Sequence, residues 1–497
     1  MTKHLDIDTK AMRAKILDLA IQGKLTDQRE EDGNARDLLK EIQAEKEKLI
    51  KEKKIKKEKP LPEITEEEKP FEIPDNWEWV RLGNLTSKVG AGNTPKGGKN
   101  SGVYRESGVE FIREMNVYND GLHYDGMVYI SSELAKTRTG SAVVAGDILL
   151  NITGGSIGRC ALVPDNFVLG NVNQHVLIIR NVVASLREYI HLVLCSPLVQ
   201  RYINNSAVGD KAGLSASKTK GFVIPLPPLA EQKRIADKVS KLFAQLDAID
   251  KAYEEYRELQ QTMKTKLLDL AMQGKLTDQR KEDGNARDLL KEIQAEKEKL
   301  IKEKQIKKEK PLPEITEEEK TFDIPENWMW VRLGEMILNH IGGGTPDKSN
   351  EAYWNGDIPW MSVKDVHQDS MYADRTIDSI TPAGLENSSS NLIEANRLIV
   401  VMRMAVGRAV INKLPVAINQ DLRALFFRDN VTQEYILRIF KILKFETSGM
   451  TVKGIKLWVL LNTPIPLPPL AEQKRIVAKL DELLPLCNVP GVYSKEK

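Results

Sequence analysis

The chain has 497 residues, 41% hydrophobic and 29% charged, and its 73 Lys and Arg nearly balance 71 Asp and Glu for a formal net charge of +2. That length suits roughly three to four domains, and the balance excludes a nucleic-acid reading from global basicity alone. Three widely spaced cysteines (Cys160, Cys195, Cys487) exclude a disulfide framework, and with no signal-peptide core after Met1 and no apolar run of membrane-spanning length, the expectation is a cytoplasmic protein without membrane contact.

In chain order, 1–26 carries Met12, Ile16 and Leu19 at the spacing of a helical seam. Segment 27–76 is highly charged. Asn34 suits an N-cap with Asp37 at N3, and the helix that follows has few apolar residues and is expected to run until Pro60-Leu-Pro62. It reads as a solvated helix and linker, or as a docking arm for a partner. Segment 77–225 is a globular domain. Its alternating runs at 108–113, 147–152 and 175–180 predict strands, and 187–202 predicts a helix. In 226–275, apolar residues at Ile235, Val239, Leu242, Leu246, Ile249, Tyr253, Tyr256, Met263, Leu267 and Leu270 alternate four and three, the register of a coiled-coil seam. Pro227 and Pro228 fit its start and Gly274 its stop.

The chain then repeats itself. Residues 15–83 return as 266–334 with 61 of 69 positions identical. Segment 276–327 is a second charged segment with Asn285 as the cap, and 328–464 is a second globular domain that barely resembles the first. Segment 465–497 opens on Ile-Pro-Leu-Pro-Pro-Leu-Ala-Glu-Gln-Lys-Arg-Ile, the phrase found at 224–235. Ile476, Leu480 and Leu483 match Ile235, Val239 and Leu242. The second long helix is thus split between the termini, and the economical arrangement is an antiparallel pair.

Catalytic signatures are missing from the sequence. There is no Asn/Asp-Pro-Pro-aromatic loop or glycine-rich cofactor turn, and the Pro-Pro pairs are followed by leucine. Nor does the sequence spell a metal-nuclease cluster. Gly92-Asn-Thr-Pro-Lys-Gly97, with Lys99 beyond, misses a phosphate-binding loop by one position and reads as a polar surface loop. His191 and Cys195 stand four apart, as metal ligands can, but with no second pair they read as a buried structural couple.

What remains is polar, basic and loop-rich. The globular segments carry 15 Lys and Arg against 11 Asp and Glu in 77–225, and 15 against 14 in 328–464. Gly154-Gly-Ser-Ile-Gly-Arg159 has two readings: a tight hairpin turn, or a loop whose N–H groups and Arg159 approach phosphate or a base edge. Gly158-Arg159 aligns with Gly407-Arg408, while the residues before them differ, as suits an anchored loop with a changed tip. Asn173-Gln174 and Asn419-Gln420 each precede a hydrophobic strand, and such side chains either read adenine or hold turns. Lysines 211, 218, 453 and 456 lie just before the shared proline-rich phrase. The candidate DNA-facing set is therefore Asn93, Thr94, Lys96, Lys99, Arg113, Asn151, Thr153, Ser156, Arg159, Asn173, Gln174, Lys211 and Lys218, and then Thr345, Lys348, Lys364, Arg403, Arg408, Asn419, Gln420, Lys453 and Lys456.

These markers together resemble the specificity subunit of a type I restriction–modification enzyme. They are the proline-rich phrase used twice, Ile-Pro-x-Asn-Trp-x-Trp-Val-Arg-Leu-Gly at 73–83 and 324–334, and Gly-x-Thr-Pro at 92–95 and 343–346. The resemblance covers nearly the whole chain. It implies an α+β (mixed α/β) fold: two target-recognition domains separated by long antiparallel coiled-coil helices in a pseudo-two-fold circular repeat. It also implies a non-catalytic chain that binds double-stranded DNA at a split, asymmetric site, docks two modification subunits that methylate adenine, and is joined by restriction subunits. S-adenosylmethionine, ATP and Mg2+ would then sit on those partners, with no cofactor or metal in this chain. Two rival readings are a coiled-coil protein scaffold without DNA binding and a DNA-modifying enzyme with an unfamiliar site.

Overall fold

The computed structural model describes residues 7–95, 102–206, 213–368, 370–443, 445 and 454–487. The chain divides into two compact units, Leu5–Tyr253 and Glu254–Lys497, and the helix Leu229–Met272 passes from one to the other. Its 44 residues match the seam read from sequence. Among the described residues no helix is long and apolar enough to cross a membrane.

In the first unit the helix Thr9–Ile21, capped by Asp8, runs antiparallel to the start of the long helix. The Thr9 hydroxyl donates to Asp250 at 2.8 Å, and further along its helix Arg13 pairs with Asp250 at 3.0 Å and with Asp247. In the second unit the end of the long helix meets Leu470–Leu483 in the same sense, with Leu268, Ala271, Ile476 and Leu480 sharing one core. Ile235, Val239, Leu246, Ile476 and Leu480 are buried as the spacing suggested, but the seam departs from it elsewhere. Met12 and Met263 are 45% and 54% exposed, while Leu17 and Leu268, at 6% and 7%, point inward.

Each charged segment carries a helix that packs on the core of its own unit. Asn34 caps Ala35–Lys51 by accepting from the N–H of Arg36, and Asn285 does the same for Ala286–Lys302. Leu38 and Ile42, four apart on one face, enter the core of the first unit, and Lys46 donates to the Gly83 carbonyl at 2.7 Å. The helix stops at Lys51, well short of Pro60. There Lys53 takes φ +57, and the N–H groups of Lys53 and Lys54 bond the carbonyls of Ile50 and Leu49. This Schellman closure satisfies the last carbonyls without a proline.

Each variable domain is inserted between two strands of a short antiparallel ribbon. Glu78–Arg81 pairs with Val223–Leu226, setting Trp79 opposite Pro225, and Met329–Arg332 pairs with Pro464–Leu467, setting Trp330 opposite Pro466. The repeated phrases are thus the two ends of one closure. Glu231 is wholly buried and accepts from Thr26 (3.0 Å), Gln28 (2.7 Å) and the Trp77 indole (2.8 Å). Glu472 accepts from Thr277, Gln279 and Trp328 in the same way.

Inside the ribbon, the first domain has two four-stranded sheets. One runs Thr86–Ala91, Val176–Asn181, Ile148–Asn151, Cys160–Leu162, and the other runs Val128–Ile130, Val109–Ile112, Gly170–Val172, Ala142–Val143. The second domain repeats this plan with a five-stranded sheet (Asn339–Gly342, Leu422–Phe426, Leu398–Val401, Ala409–Asn412, Tyr372–Ala373) beside a four-stranded one. The three runs predicted as strands are strands. The helix expected over 187–202 is two, Arg187–Cys195 and Pro197–Ser206, because Pro197 cannot continue the first and Ser196 before it is extended (ψ 151).

Candidate nucleic-acid interface

In both domains a loop after the first sheet strand comes against the turn before its neighbour. At Gly92 a Cβ would stand 2.0 Å from the Val172 carbonyl oxygen, and at Gly343 1.8 Å from that of Ile418. Only glycine allows this approach. It brings the next threonine onto the turn: the Thr94 hydroxyl donates to Oε1 of Gln174, and the Thr345 hydroxyl to Oε1 of Gln420. The domains differ in sequence but keep this glycine–threonine–glutamine joint.

The Asn-Gln pairs divide their labour. Asn173 is 5% exposed, gives its amide to Glu114 at 2.7 Å and accepts from the N–H of His175 at 3.1 Å. Asn419, also 5% exposed, bonds the carboxylate of Asp421 at 3.2 Å and accepts from its N–H at 3.0 Å. Both asparagines hold the turn, whereas Gln174 and Gln420 are exposed.

The paired arginines sit at equivalent ends of a hairpin. Asn151 N–H bonds Arg159 O and Val401 N–H bonds Arg408 O, each at 2.9 Å, and Gly158 and Gly407 share φ near +90 (+88 and +90). Arg159 lies over the Tyr118 ring at 4.4 Å, and that ring stacks on His123 at 4.0 Å. Arg408 is half-buried and reaches the Val366 carbonyl at 3.4 Å. Asn151 does not face solvent: it is fully buried and donates to Glu114 O (2.8 Å) and the Ser156 hydroxyl (3.1 Å).

The first domain thus presents a polar line. Thr94 meets Gln174, the Gln174 amide lies 3.1 Å from His175 Nε2, and His175 Nδ1 lies 2.6 Å from the Thr153 hydroxyl. Asn93 instead accepts from Arg138 through its carbonyl at 2.7 Å, and Arg113 donates to Gly126 O at 2.5 Å. The second domain forms a cleft of about 510 Å³ that gathers Thr345, Lys348, Lys364, Asn419 and Gln420 beside Trp354 and Trp360. Arg403 pairs at 2.7 Å with Asp421, which also lines the cleft. Beside Lys348 in the chain, Ser349 N–H and hydroxyl hold Asp347 below the usual carboxylate range. Lys218 and Lys456 are exposed in the first turn and at the N-cap of the short helices Ala216–Lys220 and Leu457–Asn462. Lys96, Lys99, Lys211 and Lys453 lie outside the described residues.

The sequence reading missed His175, Glu114, Tyr118 and the two tryptophans. His175 directly follows the Asn-Gln pair and Glu114 directly follows Arg113, and both could have been found there; Tyr118 and the tryptophans come from distant strands. It also missed the third member of a cluster. Cys160 comes up beside His191 and Cys195, and their ligand atoms all lie within 4.8 Å of one another. Burial pushes the Cys160 thiol up, whereas a hydrogen bond with Cys160 and the neighbouring His191 hold Cys195 below the usual thiol range.

The family described as "Type I restriction modification DNA specificity domain" matches residues 74–256 and 325–488, most of the chain. The chain belongs to this family. Each match opens at one of the ribbons and runs through a variable domain into a framework helix. The chain is similar to the type I restriction enzyme EcoEI specificity subunit of Escherichia coli, at 29% identity over 96% of this chain and 89% of that one. The EcoAI specificity subunit of Escherichia coli is 28% identical with the same coverage. A solved chain from work on complex assembly and conformational transition of the type I R-M system shares the fold, with TM-score 0.57 and 22% identity over 84% of this chain and 92% of that one. The chain is thus a type I specificity subunit, and its role is DNA sequence recognition.

Proposed function

We propose that each variable domain reads one half of a bipartite, asymmetric DNA target, through the surface built around its threonine–glutamine joint. One observation carries this reading. The joint is the same in both domains, but its surroundings differ: Thr153 and His175 in the first, Lys348, Lys364 and two tryptophans in the second. A common mount with changed side chains suits two readers of different half-sites. Lysines and arginines around it position on phosphate, and exposed Gln174 and Gln420 meet base edges.

The framework docks two modification subunits, and restriction subunits join that assembly. What supports this is the near-identity of the two framework copies, which offers one partner two equivalent surfaces. The chain itself supplies recognition and no catalysis, and S-adenosylmethionine, ATP and Mg2+ belong to the partners. The test is DNA binding and adenine methylation by the chain purified with its modification subunits, with the methylated motif mapped by sequencing. A split motif whose halves change independently when the domains are exchanged is the expected result. Methylation by the isolated chain, or affinity independent of salt, overturns the reading.

A further inference from the structure

We propose that Cys160, His191 and Cys195 form a binding site for one Zn2+ ion inside the first variable domain. Cys160 opens the second strand of the arginine hairpin, Cys160–Leu162, and His191 and Cys195 stand on successive turns of the helix Arg187–Cys195. The three ligand atoms lie within 4.8 Å of one another, with His191 Nε2 and Cys195 Sγ 3.6 Å apart. Tetrahedral zinc, with its bonds near 2.3 Å to sulfur and 2.0–2.1 Å to nitrogen, needs ligand separations of about 3.5–3.8 Å. Only small side-chain rotations are required.

The donor set selects the ion. Two thiolates and an imidazole suit zinc and exclude calcium and magnesium, which take oxygen. Cys160 is closed off, but His191 and Cys195 keep partial exposure. A water would complete the tetrahedral set as the fourth ligand. Binding replaces the hydrogen bond from His191 Nε2–H to Cys160 O, 2.9 Å long in this structure: the imidazole carries its proton on Nδ1 instead and coordinates through Nε2 as the neutral ring, while both thiols release theirs to solvent.

The second domain shows what this junction demands. Tyr189 and Tyr435 bond Pro225 O and Pro466 O identically, each at 2.9 Å, and Cys160 and Ala409 each follow the hairpin arginine. In that register Ala409, Leu437 and Lys441 replace Cys160, His191 and Cys195. Lys441 places its ammonium 2.7 Å from Gln368 O, 2.8 Å from Ser370 O and 3.4 Å from Ala409 O. One domain thus clamps helix to hairpin with a permanent cation on the chain. The other carries metal-ligating groups at the same place, and a bound ion would do the same work beside Arg159.

The experiment measures metal in the full chain by mass spectrometry, as purified under reductant and after reconstitution with Zn2+. Co2+ substitution then reports thiolate ligation by its sulfur-to-metal charge-transfer band. One ion per chain is expected, with the cobalt band weakened by Cys195→Ser, abolished when Cys160→Ser is added and kept by Cys487→Ser. A folded wild-type chain that takes up no stoichiometric zinc, and whose Cys160 and Cys195 react with a thiol reagent equally with and without Zn2+, overturns the proposal. So does a Cys160–Cys195 disulfide that persists under reductant. Because these outcomes are read on the wild-type chain, a variant that fails to fold leaves the test intact.

Discussion

The indole of Trp77 donates to the buried carboxylate of Glu231 at 2.8 Å, a bond that ties the two repeated phrases together beside their strand ribbon. Trp328 and Glu472 repeat it at 2.7 Å. A carboxylate with no exposure is tolerable only when its oxygens are met by donors, and here each receives three. This explains why tryptophan recurs after Ile-Pro-x-Asn and glutamate after Pro-Pro-Leu-Ala.

Replacing Trp77 with phenylalanine keeps the ring but leaves Glu231 with two donors. Loss of one charge-assisted hydrogen bond costs about 1.5–3 kcal/mol. Hydrogen exchange should therefore speed up in Leu5–Tyr253 and stay unchanged in Glu254–Lys497. Uniform acceleration over both units would mean the bond does not act locally.

The arginines of the same phrases carry an acid-sensitive contribution. Arg332, together with the Thr316 N–H, holds Glu319 down to about 2, and Arg81 with Thr65 lowers Glu68 in the same direction. A lowered carboxyl stabilises the fold above its ordinary range and loses that contribution as pH falls through the folded value. Denaturant midpoints should thus decline between about pH 4.5 and pH 2. Replacing both Glu68 and Glu319 with glutamine should flatten that decline; an unaltered slope would assign it to other carboxylates, such as Asp32 and Asp283 beside Arg234 and Arg475.

How much of this was legible follows from the range of each signal. The long helix was readable because its seam and stops are local, and so were the asparagine caps. The choice of Leu17 over Met12 was not, because periodicity gives a face and tertiary packing selects within it. The charged helix looked solvated because Leu38 and Ile42 are few; one turn of apolar contact is enough to seat it. At the candidate site, the doubled Asn-Gln and Gly-x-Thr-Pro motifs turn out to be two sides of one joint. That asparagine turns inward and glutamine outward, or that Cys160 joins His191 and Cys195, depends on strand pairing that no local pattern encodes.

Arg159→Ala should weaken binding through the first half-site only. The guanidinium lies on Tyr118 rather than in an ion pair, which leaves its donors available to DNA. A lost base-edge contact costs about 1–3 kcal/mol. Competition binding with each half-site scrambled in turn, in complex with the modification subunits, separates the domains. Equal relaxation at both half-sites would place the effect in the fold.

Gly343→Ala tests the joint itself. The added Cβ would sit 1.8 Å from Ile418 O, a backbone atom that cannot yield without breaking the sheet. The loop must therefore lift, and Thr345 leaves Gln420. Preference at the second half-site should fall, while the first half-site, mounted on Gly92 and Thr94, keeps its sequence. Gln420→Ala removes the same partner without displacing backbone and should relax the same positions more mildly. If Gly343→Ala leaves the methylated motif unchanged in a complex that still assembles, the joint is only a structural latch and the reading surface lies elsewhere on the domain.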